Sequence, residues 1–137
     1  MAPKKSKLDP ELKSKWVAEL RSGKYVQGAG RLKKQIEDTE VVCHCCLGVL
    51  CEIIEPEGFK LSRDEAGVFS HSFGGKYRQD SYPNQSKMME LGLYPSTFKK
   101  LAAMNDGEEP LKKGQLVATK TEKASFEQIA DYIEKNL

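Results

Sequence analysis

The sequence predicts an α+β fold: a small, mostly helical single domain with a short β-hairpin packed around a central apolar, cysteine-bearing helix. Three observations predict it. Amphipathic helical stripes lie near both ends of the chain, an apolar stretch fills residues 41–54, and a Gly-Gly pair separates two strand-like segments. With 137 residues, of which 39% are hydrophobic, the chain can bury one modest core, which excludes a large multidomain enzyme.

The first predicted helix covers residues 9–22. Asp9 is a favourable N-cap, Pro10 suits the first helical position, and apolar residues recur every fourth position at Leu12, Trp16 and Leu20. Residues 1–8 are expected to form a basic flexible tail, and residues 9–137 a single globular domain. After the helix, residues 24–31 are predicted to form a loop, and residues 32–40 indicate no particular structure.

The central stretch, residues 41–54, is apolar on every side. Its length favours a buried helix, entered from a short strand at Val41 and Val42 and ended by residues 55–58. Residues 68–73 and 76–82 then predict two antiparallel strands joined across Gly74 and Gly75, a pair typical of a two-residue hairpin turn.

The C-terminal half is predicted to be helical from residue 83, with a stop at Gly92 and a second helix capped by Ser96. Residues 105–107 (Asn-Asp-Gly) indicate a turn, and residues 116–119 a short strand. Ser125 with Gln128 forms a capping box for the last helix. The apolar stripe of that helix consists of Phe126, Ile129, Ala130, Ile133 and Leu137.

Charge and hydropathy limit the classes of function. Residues 1–36 carry a net charge of +7 and residues 37–137 carry −5. The basic residues have no interleaved aromatics, which disfavours specific nucleic-acid binding and favours a solvated face or the attraction of small anions. No stretch reaches the ~20 apolar residues of a membrane span, and no secretory signal is seen. We therefore expect a soluble protein in a reducing cytoplasm, away from membranes.

Five potential metal ligands crowd into nine residues: Cys43, His44, Cys45, Cys46 and Cys51. A structural zinc site normally joins two separate ligand pairs, and the only other His or Cys is His71, so we predict neither a metal nor another cofactor. Buried apolar packing is the simpler interpretation of these cysteines. No hydrolase, phosphate-loop or metalloprotease motif occurs, so no catalytic residue is assigned and an enzyme is disfavoured but left open.

The loop after the first helix combines an aromatic ring, an amide, two glycines and a guanidinium in seven residues. The predicted ligand-binding residues there are Tyr25, Gln27, Gly28, Gly30 and Arg31. Glycines expose backbone N–H groups and a guanidinium binds phosphate, so the loop predicts a nest for a phosphorylated ligand. The alternative is an ordinary connection whose glycines satisfy turn geometry.

The predicted hairpin tip repeats this chemistry with Lys76, Tyr77 and Arg78 beside the two glycines. We include these three residues in the ligand-binding set. The alternative interpretation makes Tyr77 a cross-strand packing partner, and Lys76 and Arg78 part of a solvated strand edge.

Five segments together resemble a family of small, functionally uncharacterised proteins encoded by bacteriophages and prophages: residues 16–25, 27–32, 45–52, 101–106 and 125–134. The resemblance implies a viral setting in the cytoplasm of a bacterial host. The chain departs from the family pattern around residues 58–82 and 107–124 and in its added Cys43-His44 pair.

Together these observations predict a phage accessory, host-defence-countering protein that sequesters a nucleotide-like anionic small molecule without turning it over. Two alternatives stay open. One is a protein-binding inhibitor of a host protein, for which an exposed apolar patch would be the distinguishing feature. The other is a small enzyme acting on a nucleotide. The sequence also leaves open whether the site closes within one chain or between subunits of a homo-oligomer.

Overall fold

A computed structural model describes residues 7–108, 113–117 and 120–137. The helices are α1 (Pro10–Arg21), α2 (Cys46–Ile54), α3 (Gln85–Glu90), α4 (Pro95–Asp106) and α5 (Phe126–Asn136), with a 3-10 helix at Pro56–Gly58. The strands are β1 (Val26–Gln27), β2 (Lys33–Gln35), β3 (Val42–His44), β4 (Lys60–Leu61) and β5 (Phe69–Ser70). These elements confirm the predicted small α+β domain.

Helix α2 lies at the centre of the core, as predicted. It packs against α1 and α4, and its residues from Cys46 to Cys51 are all buried. The indole N–H of Trp16 in α1 donates to the Cys46 carbonyl at 2.9 Å, which satisfies the polar atom of a fully buried side chain. Gly48 is required on the opposite side, because a Cβ there would overlap the Leu32 carbonyl.

The start of α1 follows the prediction, since Asp9 caps the helix by accepting the Leu12 N–H. Leu8 is buried in the core, so the packed domain begins before Asp9. The rest of the predicted tail, apart from the exposed Lys7, lies outside the described residues.

A small mixed sheet connects the core to the loop after α1. Its strand order is β1-β3-β2, with β1 parallel and β2 antiparallel to β3. Gln27 is paired with His44 in the β1–β3 register. The strand before α2 was expected at Val41 and Val42, and it instead runs from Val42 to His44.

The predicted Gly74-Gly75 hairpin is wrong. Strand β5 pairs with β4, and residues 76–82 contribute only an isolated bridge between His71 and Gln79. Two local contacts explain the difference. The Phe73 N–H donates to the His71 ring, and the Arg78 guanidinium donates to the carbonyls of Ser70 and Gly58. Residues 73–78 therefore form a loop held by these bonds, and they do not form a ladder of strand hydrogen bonds.

The predicted turn at Asn105-Asp106 is also wrong, because α4 continues through Asp106 and ends at Gly107 in the left-handed conformation (φ 75°). Its N-cap is Tyr94, with Pro95 in the first turn, and not Ser96. The helix end therefore points the Asn105 side chain into the protein.

The remaining C-terminal predictions have mixed outcomes. The capping box of Ser125 and Gln128 at the start of α5 is confirmed, and so is the stop at Gly92 (φ 89°). The strand predicted at 116–119 is partly outside the described residues, and its first two residues form an exposed bend.

Candidate functional site

A pocket of about 310 Å³ lies where the loop after β1 meets the end of α4 and the start of α5. We name it the Gly28 pocket. Its lining residues are Gln27, Gly28, Ala29, Asn105, Lys123, Ala124 and Ser125. This pocket contains two of the predicted ligand-binding residues, Gln27 and Gly28.

The backbone of the glycine loop is held by β3 and by the end of α4. The Gly28 N–H donates to the His44 carbonyl at 2.8 Å, which extends the β1–β3 pairing by one residue. A Cβ at Gly28 would come within 2.5 Å of the Cys43 Sγ, so glycine is required for this close approach. Gly30 has a φ of 80°, and its N–H donates to the Asp106 carboxylate at 3.0 Å.

Asn105 holds the pocket together. Its side chain is buried, and its Oδ1 accepts hydrogen bonds from the Gln27 amide (3.0 Å) and the Cys46 N–H (3.2 Å). Its Nδ2 donates to the Gly28 carbonyl (2.7 Å) and the Asp106 carboxylate (3.0 Å). One amide therefore connects β1, α2 and α4. The sequence analysis missed this residue, because an Asn before Asp-Gly is also typical of a solvated turn.

The Gln27 side-chain amide extends this network to the residues before α5. Its Nε2 donates to the Ala124 carbonyl at 2.7 Å as well as to Asn105. Both N–H groups of Gln27 are thus used inside the protein. Gln27 therefore positions the residues before α5 and has no amide proton left for a ligand.

Lys123 brings a positive charge to the pocket. Its side-chain stem lies beside Gly107, and across the described parts of the chain no ion pair involves its ammonium group. The N-cap of α5, Ser125, lies two residues further on, and a helix N-terminus carries a partial positive charge. Nothing in the sequence around Lys123 distinguished it from a solvated polar stretch, so sequence reasoning missed it as well.

The Arg31 guanidinium is engaged by other residues. Its Nη2 lies 3.3 Å from both carboxylate oxygens of Glu65, and its Nη1 donates to the Ser81 hydroxyl and the Gly30 carbonyl. Part of its charge is therefore compensated at the surface. The ligand-binding role of Arg31 stays a prediction.

Tyr25 lies in a different groove, between α1 and the end of α2. Its ring meets the His44 ring edge-on at 5.0 Å, and the groove also contains the carboxylates of Glu19 and Glu52. Burial raises the pKa of the Tyr25 hydroxyl, and these two negative charges raise it further. The predicted binding loop is thus divided between two sites of different charge.

The second predicted cluster lies apart from the first. Tyr77 is 68% exposed, with the Lys76 ammonium 5.5 Å from its ring centroid, and the four hydrogen bonds of Arg78 hold the base of its own loop. Among the described residues, no hydrogen bond or ion pair joins residues 76–78 to residues 25–31. The structure therefore does not combine the two clusters into one site.

A family profile described as Domain of unknown function (DUF8296) matches residues 8–137. The chain belongs to this family. No curated protein and no solved structure matches the chain. The DUF8296 match covers both the Gly28 pocket and the groove that contains Tyr25 but assigns no activity, and the resemblance to phage-encoded proteins stays a prediction.

Three thiols at the start of α2 and within it are buried in this DUF8296 chain, namely those of Cys45, Cys46 and Cys51. Burial raises the pKa of Cys45 to about 12 and those of Cys46 and Cys51 well above their ordinary value. In the part of the chain that the structure describes, no three His, Cys, Asp or Glu side chains are grouped to hold a metal ion. Packing in the core accounts for these three cysteines, and Cys43 is half-buried beside Gly28.

Both histidines of the DUF8296 domain are buried. His44 Nε2 lies 2.9 Å from a Glu52 oxygen, and His71 bonds to the Glu55 carbonyl and the Phe73 N–H. Neither imidazole borders the Gly28 pocket.

Within the described ranges, none of the helices has both the length and the apolar character needed to cross a bilayer.

Proposed function

We propose that this protein is a phage accessory, host-defence-countering protein that sequesters a nucleotide-like anionic small molecule in the Gly28 pocket without turning it over. One observation carries the proposal. Lys123, the loop backbone at Ala29 and the start of α5 surround a single pocket, and no carboxylate occurs among its lining residues. Phosphate groups bind such combinations of a helix N-terminus, loop backbone and a cation.

The electrostatics of the pocket favour an anion. The nearest carboxylate in the hydrogen-bond network, Asp106, already accepts from the Gly30 N–H and the Asn105 amide. Glu127 in the first turn of α5 does not line the pocket and lies 3.5 Å from the Arg21 guanidinium, which it shares with Asp131 and Glu134. Lys123 is therefore the charge that an incoming phosphate would meet first.

The lining also favours binding without turnover. General acid–base catalysis needs a titratable side chain within hydrogen-bond reach of the reacting group. Lys123 is the one ionisable side chain among the seven lining residues, which include no His, Cys, Asp or Glu to act with it as an acid–base pair. Ser125 is the only hydroxyl in this lining, and it accepts the Gln128 N–H as a helix cap.

A specific observation also favours the second function, inhibition of a host protein. Three apolar side chains of the three-stranded sheet region are 42–50% exposed, namely Val26, Ile36 and Val41. The turn between β2 and β3 brings the last two together, because the Ile36 N–H donates to the Val41 carbonyl. A contiguous exposed apolar patch is what marks a protein-binding surface, and this pair is the part of the sheet region at which to test for one.

The first experiment identifies the ligand. The purified chain is incubated with an extract of phage-infected bacteria, re-isolated and heated, and the released small molecules are identified by mass spectrometry. A released nucleotide supports sequestration. A retained host protein with no released small molecule supports the inhibitor function and contradicts our proposal.

The second experiment tests the pocket by calorimetry, with AMP and inorganic phosphate as probes. Lys123→Ala should weaken binding about 10-fold or more, since a hydrogen bond to a charged group contributes about 1.5–3 kcal/mol. The matched control is Lys113→Ala, another exposed lysine ten positions earlier that does not line the pocket. Equal affinities of the two variants would contradict the proposal.

Arg31→Ala is measured in parallel. If Arg31 binds the ligand, this variant should lose about 1.5–3 kcal/mol of binding free energy while its stability stays unchanged.

A further inference from the structure

His71 lies at the base of the loop formed by residues 73–78, which we name the Phe73 loop. Its side chain is completely buried. Its backbone N–H and carbonyl bond to the backbone of Gln79 at 2.7 and 2.8 Å. The imidazole contacts the rings of Phe59 and Phe73, with centroid distances of 4.9 and 4.0 Å. One histidine therefore joins both ends of the loop to the core.

Two hydrogen bonds fix the protonation state of this imidazole. Its Nε2 lies 2.7 Å from the Glu55 carbonyl oxygen, which can only accept, so Nε2 carries a proton. The Phe73 N–H lies 3.0 Å from Nδ1 and can only donate, so Nδ1 carries none. The closed Phe73 loop therefore requires the neutral imidazole with its proton on Nε2.

A second proton on His71 would break one of these bonds. It would bind at Nδ1, where it would face the Phe73 N–H, and two donors cannot form a hydrogen bond with each other. The part-buried Phe73 N–H would then lose its acceptor. Phe73 also has a φ of 51°, which is uncommon for a residue with a side chain. The bond to Nδ1 is one of the contacts that keep this backbone in place.

The surroundings of His71 supply no counter-ion for an imidazolium. Arg78 adds a positive charge at the base of the loop, where it donates to the carbonyls of Gly58 and Ser70. In the part of the chain that the structure describes, no carboxylate lies within ion-pair distance of the His71 ring. The segments packed against His71 carry these charged residues: Lys33, Glu52, Glu55, Glu57, Lys60, Arg78 and Asp80.

The ring also has no room to turn away from the Phe73 N–H. A Cβ at Gly58 would come within 2.3 Å of the imidazole, so the 3-10 helix closes tightly against it. A protonated His71 can thus reach water only if the Phe73 loop moves.

We propose that His71 is a pH-sensitive switch that keeps the Phe73 loop closed while its imidazole is neutral and releases the loop when it takes up a proton. Since the open loop binds a proton that the closed loop excludes, a falling pH shifts the equilibrium toward the open form. Release exposes Phe73 beside Tyr77, which is already 68% exposed. This inference does not depend on the Gly28 pocket.

The first test is NMR of the full chain between about pH 7.5 and about pH 5, the range in which an accessible imidazole titrates. Long-range proton–nitrogen spectra at the higher pH should show the Nε2–H form of His71. The protection of the Phe73 amide against hydrogen exchange, corrected for the intrinsic rate, should fall about 10-fold or more at the lower pH. The Ile129 amide in α5 and the fluorescence of Trp16 should not change, which excludes global unfolding.

A pair of variants assigns the effect to His71. His71→Asn retains an oxygen that can accept from the Phe73 N–H but takes up no proton, so Phe73 protection should be equal at both pH values. The matched control His44→Asn removes the only other histidine and should respond to pH as the wild type does.

Three outcomes would overturn the proposal: an Nδ1–H form of His71 at about pH 7.5, equal Phe73 protection at both pH values in the wild type, or an undiminished pH response in His71→Asn. If His71→Asn does not fold, the two wild-type measurements still decide between the switch and a purely structural histidine.

Discussion

Replacing Asn105 by Ala should strongly destabilise the domain and open the Gly28 pocket. The change removes all four hydrogen bonds of a side chain that is 1% exposed. The Cys46 N–H at the start of α2 would be left buried without an acceptor, which costs about 1–3 kcal/mol. The half-buried Gly28 carbonyl would lose a bond with a net contribution of about 0.5–1.5 kcal/mol.

These terms sum to about 1.5–4.5 kcal/mol, a large fraction of the ~5–15 kcal/mol that stabilises a typical domain. Urea unfolding measures the change through the fluorescence of Trp16, the only tryptophan, which is fully buried beside α2. A lower midpoint at an unchanged slope would show a loss of stability alone.

The matched control is Asn136→Ala, since Asn136 makes an exposed hydrogen bond to the Tyr132 carbonyl at the end of α5. This variant should change stability by no more than about 0.5 kcal/mol. If Asn105→Ala costs less than about 1 kcal/mol, or no more than the control, the assignment of Asn105 as the residue that holds the pocket together is refuted.

Two further predictions concern the core and the buried charge pair. Leu50→Asp should abolish cooperative unfolding, because it buries a charge without a partner in α2 at a cost of several kcal/mol. The control Leu61→Asp, on the exposed strand β4, should be tolerated. An unchanged melting temperature of Leu50→Asp would contradict this prediction. Glu52→Gln should be less stable than the wild type at pH 7. The pKa of Glu52 in the folded protein is below its ordinary value. The stability difference between wild type and variant is therefore complete above about pH 4.3 and declines as the pH falls through the folded pKa. A stability difference that persists undiminished at about pH 2 would contradict this prediction.

The features that the sequence determined by itself depend on neighbours within one or two turns of chain. Asp9 caps α1 by reaching the N–H three residues on, and Ser125 and Gln128 cap α5 in the same way. The mostly apolar stretch of residues 41–54, interrupted by His44 and Glu52, predicted a buried helix, because a segment with apolar residues on every side is stable inside a core. The α+β class followed from these local signals.

Tertiary structure decided the pairings and the sites. Gly74-Gly75 is a favourable hairpin turn locally, yet β5 pairs with β4, and residues 76–82 meet the preceding segment only at the bridge between His71 and Gln79. The Arg78 guanidinium instead donates to the carbonyls of Ser70 and Gly58, and the turn residues do not encode either contact.

The candidate sites show the same division. Residue types identified Tyr25 and Gly28 as neighbours in one loop, but the strand between them places the ring against α1 and α2 and the glycine against α4. Asn105 donates a hydrogen bond to the Gly28 carbonyl although the two residues are 77 positions apart in the sequence. Lys123, from the residues before α5, lines the same pocket. Contacts at such separations depend on how the helices pack around α2, and no local pattern encodes them.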